Sequence, residues 1–424
     1  MPGREVEVEV TGIAHGGFGV ARLDGRVVFV AEAIPGERVR ARITDDRKAR
    51  FWWAVTVEVL EASPYRRAQL WPEADVSRDP GIRPGGADFG HIVPEHQRAL
   101  KGQVLADALR RMARIEREVG VEAVEGPADG GGWRTRERLH VADDGTVGPY
   151  AARSHRVIRV ADLPLGTPEL REAAPLAERL PEHAGGSVEV LAPSVGGARL
   201  ILGRQAPTVI RERVGEREFR LDDSGFWQVH AAAPLTLTRA VQEAIDETLF
   251  DPRAANLDLY GGVGLLAAAV GDRFGPATRI TSIESDARAT EHAQENLAEW
   301  VGAQAVTARV ERWVASLADA SAGERERLAA ATVVLDPPRA GAGRAVLEAL
   351  AAVGPAQLVY VACDPVAFAR DAGILAELGY PLTSLRAFDL FPSTHHVEAV
   401  GAFVRRSGRR PPRDGPPPAR QQVP

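Results

Sequence analysis

The first part of the chain alternates apolar and charged residues. From Val6 to Val10 a valine stands at every second position, and this period of two predicts a half-buried β-strand. Glycines interrupt the next run, and Asp24-Gly25 is a hairpin turn signal between two strand-like runs. Further short apolar runs reach residue 60. Residues 1–60 are therefore predicted to form a small OB-like β-barrel of five strands.

The middle of the chain mixes helix-like and strand-like patterns of apolar residues. The segment from His96 to Arg117 has apolar residues on one stripe, which predicts a helix. Its basic residues are expected to share one side: Lys101, Arg110, Arg111 and Arg114. From about 126 to 222 short β-like runs return, with one acidic helical stretch near 168–182. We interpret residues 61–222 as a linker helix and a central α+β domain.

Residues 223–406 change character, because strand-like runs now alternate with helical runs rich in Ala, Glu and Arg. The clearest predicted strands are Asn256–Tyr260, Arg279–Ile283, Thr332–Leu335 and Gln357–Val361, and the helices lie near 264–271, 286–300, 343–352 and 365–378. This alternation predicts an α/β fold with a doubly wound, Rossmann-like parallel sheet. Residues 407–424 are rich in Pro and Arg without apolar periodicity, so we expect a disordered tail.

Composition narrows the class of protein. The net charge of −6 over 424 residues excludes a globally basic protein, so any nucleic-acid surface must be local. A signal peptide and a membrane span are both unsupported, and a cytoplasmic protein is expected. The single cysteine, Cys363, makes neither an intramolecular disulfide nor an iron–sulfur cluster. No metal is expected.

Two loops carry candidate ligand chemistry. Gly261, Gly262 and Gly264 follow a predicted strand and precede a helix, so the backbone can approach a ligand there. Glu284, after the next strand, could bind both hydroxyls of a ribose or could simply favour a helix start. Asp336 begins the stiff sequence Asp-Pro-Pro-Arg at a third strand end.

Other features remain open from the residues alone. Cys363 ends an apolar strand, where a lone thiol is either a nucleophile or a buried small residue. Within the barrel, basic residues adjoin aromatic ones, which suits single-stranded RNA but also fits a solvated face beside core tryptophans. These residues are Arg38, Arg40, Arg42, Arg47, Lys48, Arg50, Phe51, Trp52 and Trp53.

Over nearly its whole length the chain resembles the RNA (uracil-5-)-methyltransferases that carry an N-terminal TRAM domain. Residues 5–60 are similar to the TRAM barrel. Five segments are similar to the family's motifs: FWQVH (226–230), LDLYGGVGLL (257–266), DPPRAG (336–341), VACDPVAFARD (361–371) and DLFPSTHHVEAV (389–400). The order and spacing of the last two suit the family especially well.

The resemblance implies an S-adenosylmethionine-dependent enzyme that methylates C5 of a uridine in rRNA or tRNA. We expect a monomer, although the sequence does not determine the oligomeric state. It gives Cys363 the role of nucleophile and Glu398 that of proton acceptor. The residues expected to bind the cofactor are Gln228, Tyr260, Gly262, Leu265, Glu284 and Asp336. A thiolate suits this reaction, because its addition to C6 of uracil makes C5 nucleophilic.

The chain departs from the family's pattern at four places. FWQVH ends in His230 where relatives have Asn, and Leu265 replaces a polar residue. The segment after the third strand lacks the acid expected near Trp313. Many relatives carry an iron–sulfur cluster near residues 70–92, where this chain has no cysteine.

Two other functions stay open. The Asp-Pro-Pro loop also occurs in enzymes that methylate nitrogen, although Arg339 stands where those enzymes usually have an aromatic residue. The departures from the motifs would also allow an RNA-binding relative without catalysis. Which RNA and which uridine are modified does not follow from the sequence.

Overall fold

The computed structural model describes residues 3–203 and 205–406. The prediction of a disordered tail concerns residues 407–424, which lie outside the described residues.

Residues 5–61 form the predicted barrel. Its strands are β1 (Glu5–Ala14), β2 (Phe18–Leu23), β3 (Arg26–Ala31), β4 (Arg38–Asp45) and β5 (Phe51–Glu61). They close in the order β1-β2-β3-β5-β4. The alternating valines Val6, Val8 and Val10 are buried inside the barrel, as the period of two requires. The OB-like barrel is therefore confirmed.

The helix after the barrel is shorter than the sequence predicts. α1 spans Pro94–Ala108 and continues as a π-helical turn over Leu109–Ala113. Arg114 ends this turn with a φ of 56°, a left-handed conformation that stops the helix before residue 117. Lys101 does not join a basic surface: its side chain is buried and pairs with Asp389 at 2.5 Å.

The central region contains two separate sheets in the described part of the chain. Its elements are β6 (Val121–Glu122), β7 (Arg136–Val141), β8 (Val147–Gly148), α2 (Pro168–Ala173), β9 (Ser187–Leu191), β10 (Arg199–Leu202), β11 (Val209–Val214) and β12 (Arg217–Asp222). One sheet has the order β10-β9-β7-β8, and β11 pairs with β12. The acidic stretch near 168–182 is α-helical only over α2, because Ala174 turns to extended backbone, and a short 3₁₀ turn follows at Pro181–His183.

The remaining elements alternate as predicted. They are α3 (Ala233–Ala244), β13 (Asn256–Leu259), α4 (Leu265–Phe274), β14 (Ile280–Glu284), α5 (Ala287–Asn296), β15 (Ala303–Thr307), α6 (Val310–Ser316), α7 (Ala322–Ala329), β16 (Thr332–Leu335), α8 (Gly343–Val353), β17 (Gln357–Ala362), α9 (Pro365–Glu377), β18 (Leu382–Phe388) and β19 (Glu398–Val404). Fully apolar or neutral strands such as β16 and β17 are buried along their whole length, as expected for strands covered on both faces.

These strands form a single sheet with the order β15-β14-β13-β16-β17-β19-β18-β6. β13 to β17 run parallel, and β19 is antiparallel to its neighbours. This confirms the doubly wound α/β fold. The strand order reverses between β13 and β16, where ligands bind beyond the carboxyl ends of parallel strands.

The predicted domain boundary at residue 222 does not match the way in which the chain packs. β6 extends the large sheet beside β18, and Leu105 and Leu109 from the preceding helix pack into that sheet's core. Phe219 of β12 packs in the core on the sheet's other side. Part of the segment 61–222 therefore builds the α/β domain, and short-range patterns contain no sign of such long-range contacts.

Among the described residues, no helix is both long and apolar enough to cross a membrane.

Candidate active site

A cavity of about 1010 Å³ opens at the carboxyl ends of the parallel strands. Its lining includes Gln228, Tyr260, Gly262, Glu284, Asp336, Cys363 and Glu398. Leu265 is the predicted site residue that does not line this cavity: it is buried in the core at the start of α4. Leu265 instead borders a small side cavity of about 40 Å³ that Gln228 and Asp336 also line.

The glycine loop after β13 is held tightly from below. A Cβ atom at Gly261 would lie 2.0 Å from Ser282 Oγ and 2.7 Å from Asp258 Oδ2, so only glycine fits. At Gly262 a Cβ would meet no heavy atom within 4 Å, and this glycine faces the cavity. Tyr260 has a φ of 63°, a strained conformation typical of ligand-binding loops.

The carboxylate of Glu284 ties this loop to the next one. Its Oε2 accepts a hydrogen bond from the Gly262 N–H at 3.1 Å, and its Oε1 accepts one from the Asp286 N–H at 2.9 Å. Asp286 in turn caps α5. The helix-start interpretation and the ligand interpretation of Glu284 are therefore compatible, because the same carboxylate borders the cavity.

Asp258 is a buried acid that the sequence analysis did not single out. Its Oδ2 accepts hydrogen bonds from Ala267 N–H and Ser282 Oγ, both at 3.2 Å, while its Oδ1 has no partner in the described residues. Burial raises the pKa of Asp258 to about 7. The available signal was an acid inside the short strand Asn256–Leu259, which has no other charged residue.

Tyr260, Gly262, Glu284 and Asp336 form what we call the loop half of the cavity. Asp336 follows β16, and burial raises its pKa to about 7. The loop after it is held by Asp371, whose Oδ2 accepts hydrogen bonds from Tyr360 Oη at 2.7 Å and from Ala342 N–H at 2.9 Å. The stiffness expected from two prolines is thus reinforced by a buried hydrogen-bond network.

Cys363 and Glu398 line the same cavity beside the loop half. Cys363 follows β17 and is half-buried, and Glu398 begins β19 and is 3% exposed. Burial raises the pKa of Glu398 well above its usual range, and the nearby charge of Asp336 adds to this effect. Burial, followed by the charge of Glu398, raises the pKa of Cys363 to about 12. The three acidic groups are close enough to oppose one another's ionisation.

A second group of residues that line the cavity, which we call the far wall, consists of Asp88, Arg134, Phe391 and His396. The His395 ring holds Asp88 in place, with Nδ1 at 2.7 Å from Asp88 Oδ2. Burial and then the neighbouring His395 lower the pKa of His396 to about 3, so its ring is neutral at physiological pH. The sequence analysis did not assign these residues, because they come from three distant segments.

Lys101 anchors the segment that carries Phe391 and His396. Its ammonium group is fully buried, and it donates hydrogen bonds to Asp389 Oδ1 at 2.5 Å and to the Phe391 carbonyl at 3.0 Å. Burial lowers the pKa of Lys101, and the charge of Asp389 opposes this shift. The predicted surface cation is therefore an internal support of the cavity.

One further correction concerns the rim of the cavity. The sequence analysis expects no acid after the third strand near Trp313, whereas Glu311 lines the cavity two residues earlier. Phe226, the first residue of FWQVH, lines the cavity and is 72% exposed, whereas large apolar side chains are more often buried.

The atypical His230 does not reach the large cavity. Its ring is 2% exposed, stacks on Trp133 at 5.4 Å, and accepts a hydrogen bond at Nδ1 from the Ala232 N–H at 3.0 Å. Burial lowers the pKa of His230 to about 4. This departure from the family motif therefore alters packing behind Gln228 rather than the cavity surface.

The outer face of the barrel is less cationic than its sequence suggests. Arg40 pairs with Glu7 and Glu58, and Arg42 pairs with Glu5 at 3.2 Å. Beside them, aromatic rings form a half-exposed patch in which neighbouring centroids lie 4.6 to 6.0 Å apart. The patch consists of Phe18, Phe29, Phe51 and Trp53.

The described residues contain no group of three or more His, Cys, Asp or Glu side chains arranged to hold a metal ion.

Comparisons with known proteins agree with this architecture. A TRAM domain profile matches residues 1–50, and a tRNA (uracil-5-)-methyltransferase profile matches residues 197–407. An uncharacterised RNA methyltransferase of Streptomyces avermitilis is 38% identical, covering 94% of this chain and 98% of the relative. A 23S rRNA (uracil(1939)-C(5))-methyltransferase of Alkalilimnicola ehrlichii is 29% identical, covering 96% and 98%.

A solved structure shows the same fold. The tRNA (uracil-54, C5)-methyltransferase of Pyrococcus abyssi, crystallised with S-adenosyl-L-homocysteine, superposes with a TM-score of 0.68 at 21% identity, over 94% of this chain and 99% of that one. Together with the 38% identical relative and the two profiles, this confirms the resemblance. The chain belongs to the TRAM-domain-containing family of S-adenosylmethionine-dependent RNA (uracil-5-)-methyltransferases, and it is an RNA methyltransferase.

Proposed function

We propose that this protein methylates C5 of a uridine in rRNA or tRNA through a covalent adduct between Cys363 and C6 of the base. One observation carries the proposal. The single thiol of the chain opens into the same cavity as the buried carboxyl groups of Asp336 and Glu398. A nucleophile with an adjacent proton acceptor is the pair of groups that this chemistry needs.

The loop half fits S-adenosylmethionine. Gly262 leaves open space at the cavity surface, and the Glu284 carboxylate beside it can accept hydrogen bonds from ribose hydroxyls. Gln228, Tyr260 and Asp336 would hold the rest of the molecule, with Leu265 behind them. When bound, the cofactor supplies an electrophilic methyl group on a positively charged sulfur.

Cys363 acts first. Its thiolate adds to C6, and the electrons of the C5=C6 bond move toward C5 and O4, which makes C5 nucleophilic toward the methyl group. The raised pKa of the free thiol means that ionisation must be assisted in the assembled site. Arg339 is the cation whose charge already lowers the pKa of this thiol, and it lines the cavity.

Glu398 acts last. After methyl transfer its carboxylate removes the C5 proton, the C5=C6 bond reforms and the C6–S bond breaks, which expels the Cys363 thiolate. Because burial raises its pKa, Glu398 retains a proton more strongly than an ordinary glutamate, which suits a general base near neutral pH.

The barrel offers a surface for single-stranded RNA. Arg40 and Arg42 are paired with glutamates, so the half-exposed aromatic patch is the stronger candidate for contact with bases. The loop between β1 and β2 touches the reaction site: His15 Nε2 lies 3.4 Å from Asp364 Oδ2, next to Cys363. RNA bound on the barrel would therefore extend toward the nucleophile, Cys363.

The test separates the two residues by the order of their action. Each variant is incubated with S-adenosylmethionine and total RNA from a strain that lacks the gene, and then run on a denaturing gel. Cys363→Ala should give neither product nor adduct. Glu398→Gln should transfer methyl groups but stall as a protein–RNA band, with turnover lower by roughly 100- to 10,000-fold. The double variant is the control and should lose the band.

Three outcomes would contradict the proposal. Full activity of Cys363→Ala would favour methylation of a nitrogen atom. Wild-type turnover by Glu398→Gln would move the base role to another group, with His395 and His396 in the same segment as the next candidates. RNA binding by the wild type without any cofactor binding in calorimetry would indicate a non-catalytic relative.

A further inference from the structure

A second cavity, of about 300 Å³, lies beside the reaction cavity and shares Gly86 and Arg134 with it. Its lining includes two buried apolar residues, Trp71 and Leu165, which are 4% and 5% exposed. We call this cavity the flanking groove. We propose that it binds a nucleobase of the RNA next to the target uridine, an inference that rests on the proposed function.

The groove contains a preformed aromatic stack. The rings of His140 and Tyr150 lie 3.5 Å apart at 7°, and His155 meets the edge of Tyr150 at 5.3 Å. Burial, with the charge of Arg138, lowers the pKa of His140, so its ring is neutral at physiological pH. A flat, neutral stack at a groove wall extends readily by one further ring, which a base supplies.

The charges of the groove favour a base inside and a phosphate at the rim. Arg134 pairs with Glu137 at 2.8 Å, so this pair offers adjacent donor and acceptor groups to a base edge without net charge. Arg138 is likewise paired with Glu189. Arg153 is exposed at the mouth and makes no ion pair within residues 3–203 and 205–406, although its charge acts on the nearby carboxyl groups of Glu32 and Asp88. Its guanidinium lies 5.8 Å from the ring of Phe18 on the barrel.

The loop that carries Tyr150 and Arg153 is fixed rather than adaptable. Ala152 N–H donates to the Arg83 carbonyl at 2.8 Å, and Gly85 N–H donates to the Tyr150 carbonyl at 3.2 Å. Arg83 itself is 1% exposed, and its guanidinium donates to Thr56 O at 2.9 Å and pairs with Glu32 of the barrel. A groove held in this way loses little conformational entropy when a base enters.

The test measures binding alone, in the Cys363→Ala background, so that no adduct forms. The probe is a fluorescein-labelled oligouridylate of roughly 10 nucleotides, used intact and as a series with one abasic nucleotide at each position. Tyr150→Ala or His140→Ala should weaken binding of the intact probe roughly fivefold or more, and the loss should vanish with the probe that is abasic at the position bound in the groove. Arg153→Gln should reduce the salt dependence by about one phosphate contact.

Arg156→Gln is the matched control, because Arg156 is exposed in the same loop but does not line the groove. It should not change the abasic pattern. Two of these measurements remain informative even if an aromatic variant fails to fold. They are the titration of Arg153→Gln and the abasic series on protein with unaltered groove residues. Any of three results would overturn this inference. They are equal affinities for all groove variants, the same loss of affinity at every abasic position, and no binding by the parent protein. Methyl transfer by wild type to total RNA tests the proposed function separately.

Discussion

The two sides of the reaction cavity are built in different ways. The loop half consists of residues that each end or follow a strand of one sheet, in the order β13, β14 and β16. The far wall brings together residues from before α1, from just before β7 and from the segment before β19. A local motif therefore predicts the first side, whereas the second exists only after distant segments have packed.

Supports beneath the two sides differ as well. The loop half rests on backbone fit, with Gly261 against Ser282 and Asp258. In the far wall, the segment that carries Phe391 and His396 is supported by a buried ion pair between Lys101 and Asp389. Backbone fit is visible in the sequence as a glycine at a strand end, but a buried ion pair between residues far apart in the chain is not.

The largest effect is expected from removing the support of the far wall. Lys101→Met leaves the Asp389 carboxylate buried without its partner, so the free energy of unfolding should fall by about 3–5 kcal/mol. Urea denaturation measures the loss. Lys101→Met combined with Asp389→Leu should recover most of it, and Arg110→Met, which breaks an exposed pair, should cost less than about 1 kcal/mol. Equal losses at Lys101 and Arg110 would contradict the internal role.

The next effect tests the point where the two sides meet. Because the pKa of Cys363 is raised from 9.0 to about 12, its thiol is neutral at pH 8. Alkylation by iodoacetamide should be roughly 100-fold or more slower than in the unfolded chain. The rate should rise about tenfold per pH unit up to about pH 10, without a plateau. With one cysteine in the chain, the incorporated label reports on Cys363 alone.

Glu398→Gln sharpens that measurement. It removes the charge that contributes most to the shift after burial, so the thiol pKa should fall and alkylation at pH 8 should accelerate. A plateau below pH 9 in the wild type would show that the carboxyl groups do not oppose ionisation of the thiol.

A smaller loss is expected from disturbing the loop half. Gly261→Ala forces a methyl group against Ser282 Oγ and Asp258, which should lower stability by about 1–3 kcal/mol and weaken S-adenosylmethionine binding in calorimetry. Adding Ser282→Ala should relieve part of the loss, since Ser282 Oγ is the nearest atom. Gly120→Ala, where no heavy atom lies within 4 Å, should be neutral. Unchanged cofactor affinity in Gly261→Ala would show that this loop does not contribute to S-adenosylmethionine binding.

The smallest effect is expected on the outer face of the barrel. Arg40 is exposed and paired with two glutamates, so Arg40→Gln should change stability by less than about 1 kcal/mol. It should also change RNA affinity less than Trp53→Ala, which removes a ring of the aromatic patch. Anisotropy titrations with oligouridylate compare the two variants. A larger loss for Arg40→Gln would make the arginine stripe the RNA surface.

The period of two in the first strand and the βα alternation after residue 223 were sufficient to predict the barrel and the doubly wound sheet. Strand ends were located within a residue or two, because buried runs stop where glycine, proline or a charge appears. The same reasoning brought Gly262, Glu284, Asp336 and Cys363 to one edge, since parallel strands of one sheet end together.

The tertiary structure alone decided the rest. Lys101 lies on a helix with a basic appearance, yet packing against the segment 389–391 buries its charge. Helix periodicity describes which side of a helix is apolar, not what the other side meets. The far wall and the flanking groove depend on contacts between segments that are tens to hundreds of residues apart. A periodic pattern of apolar residues reports on local structure, so it does not reveal which distant segments will pack together.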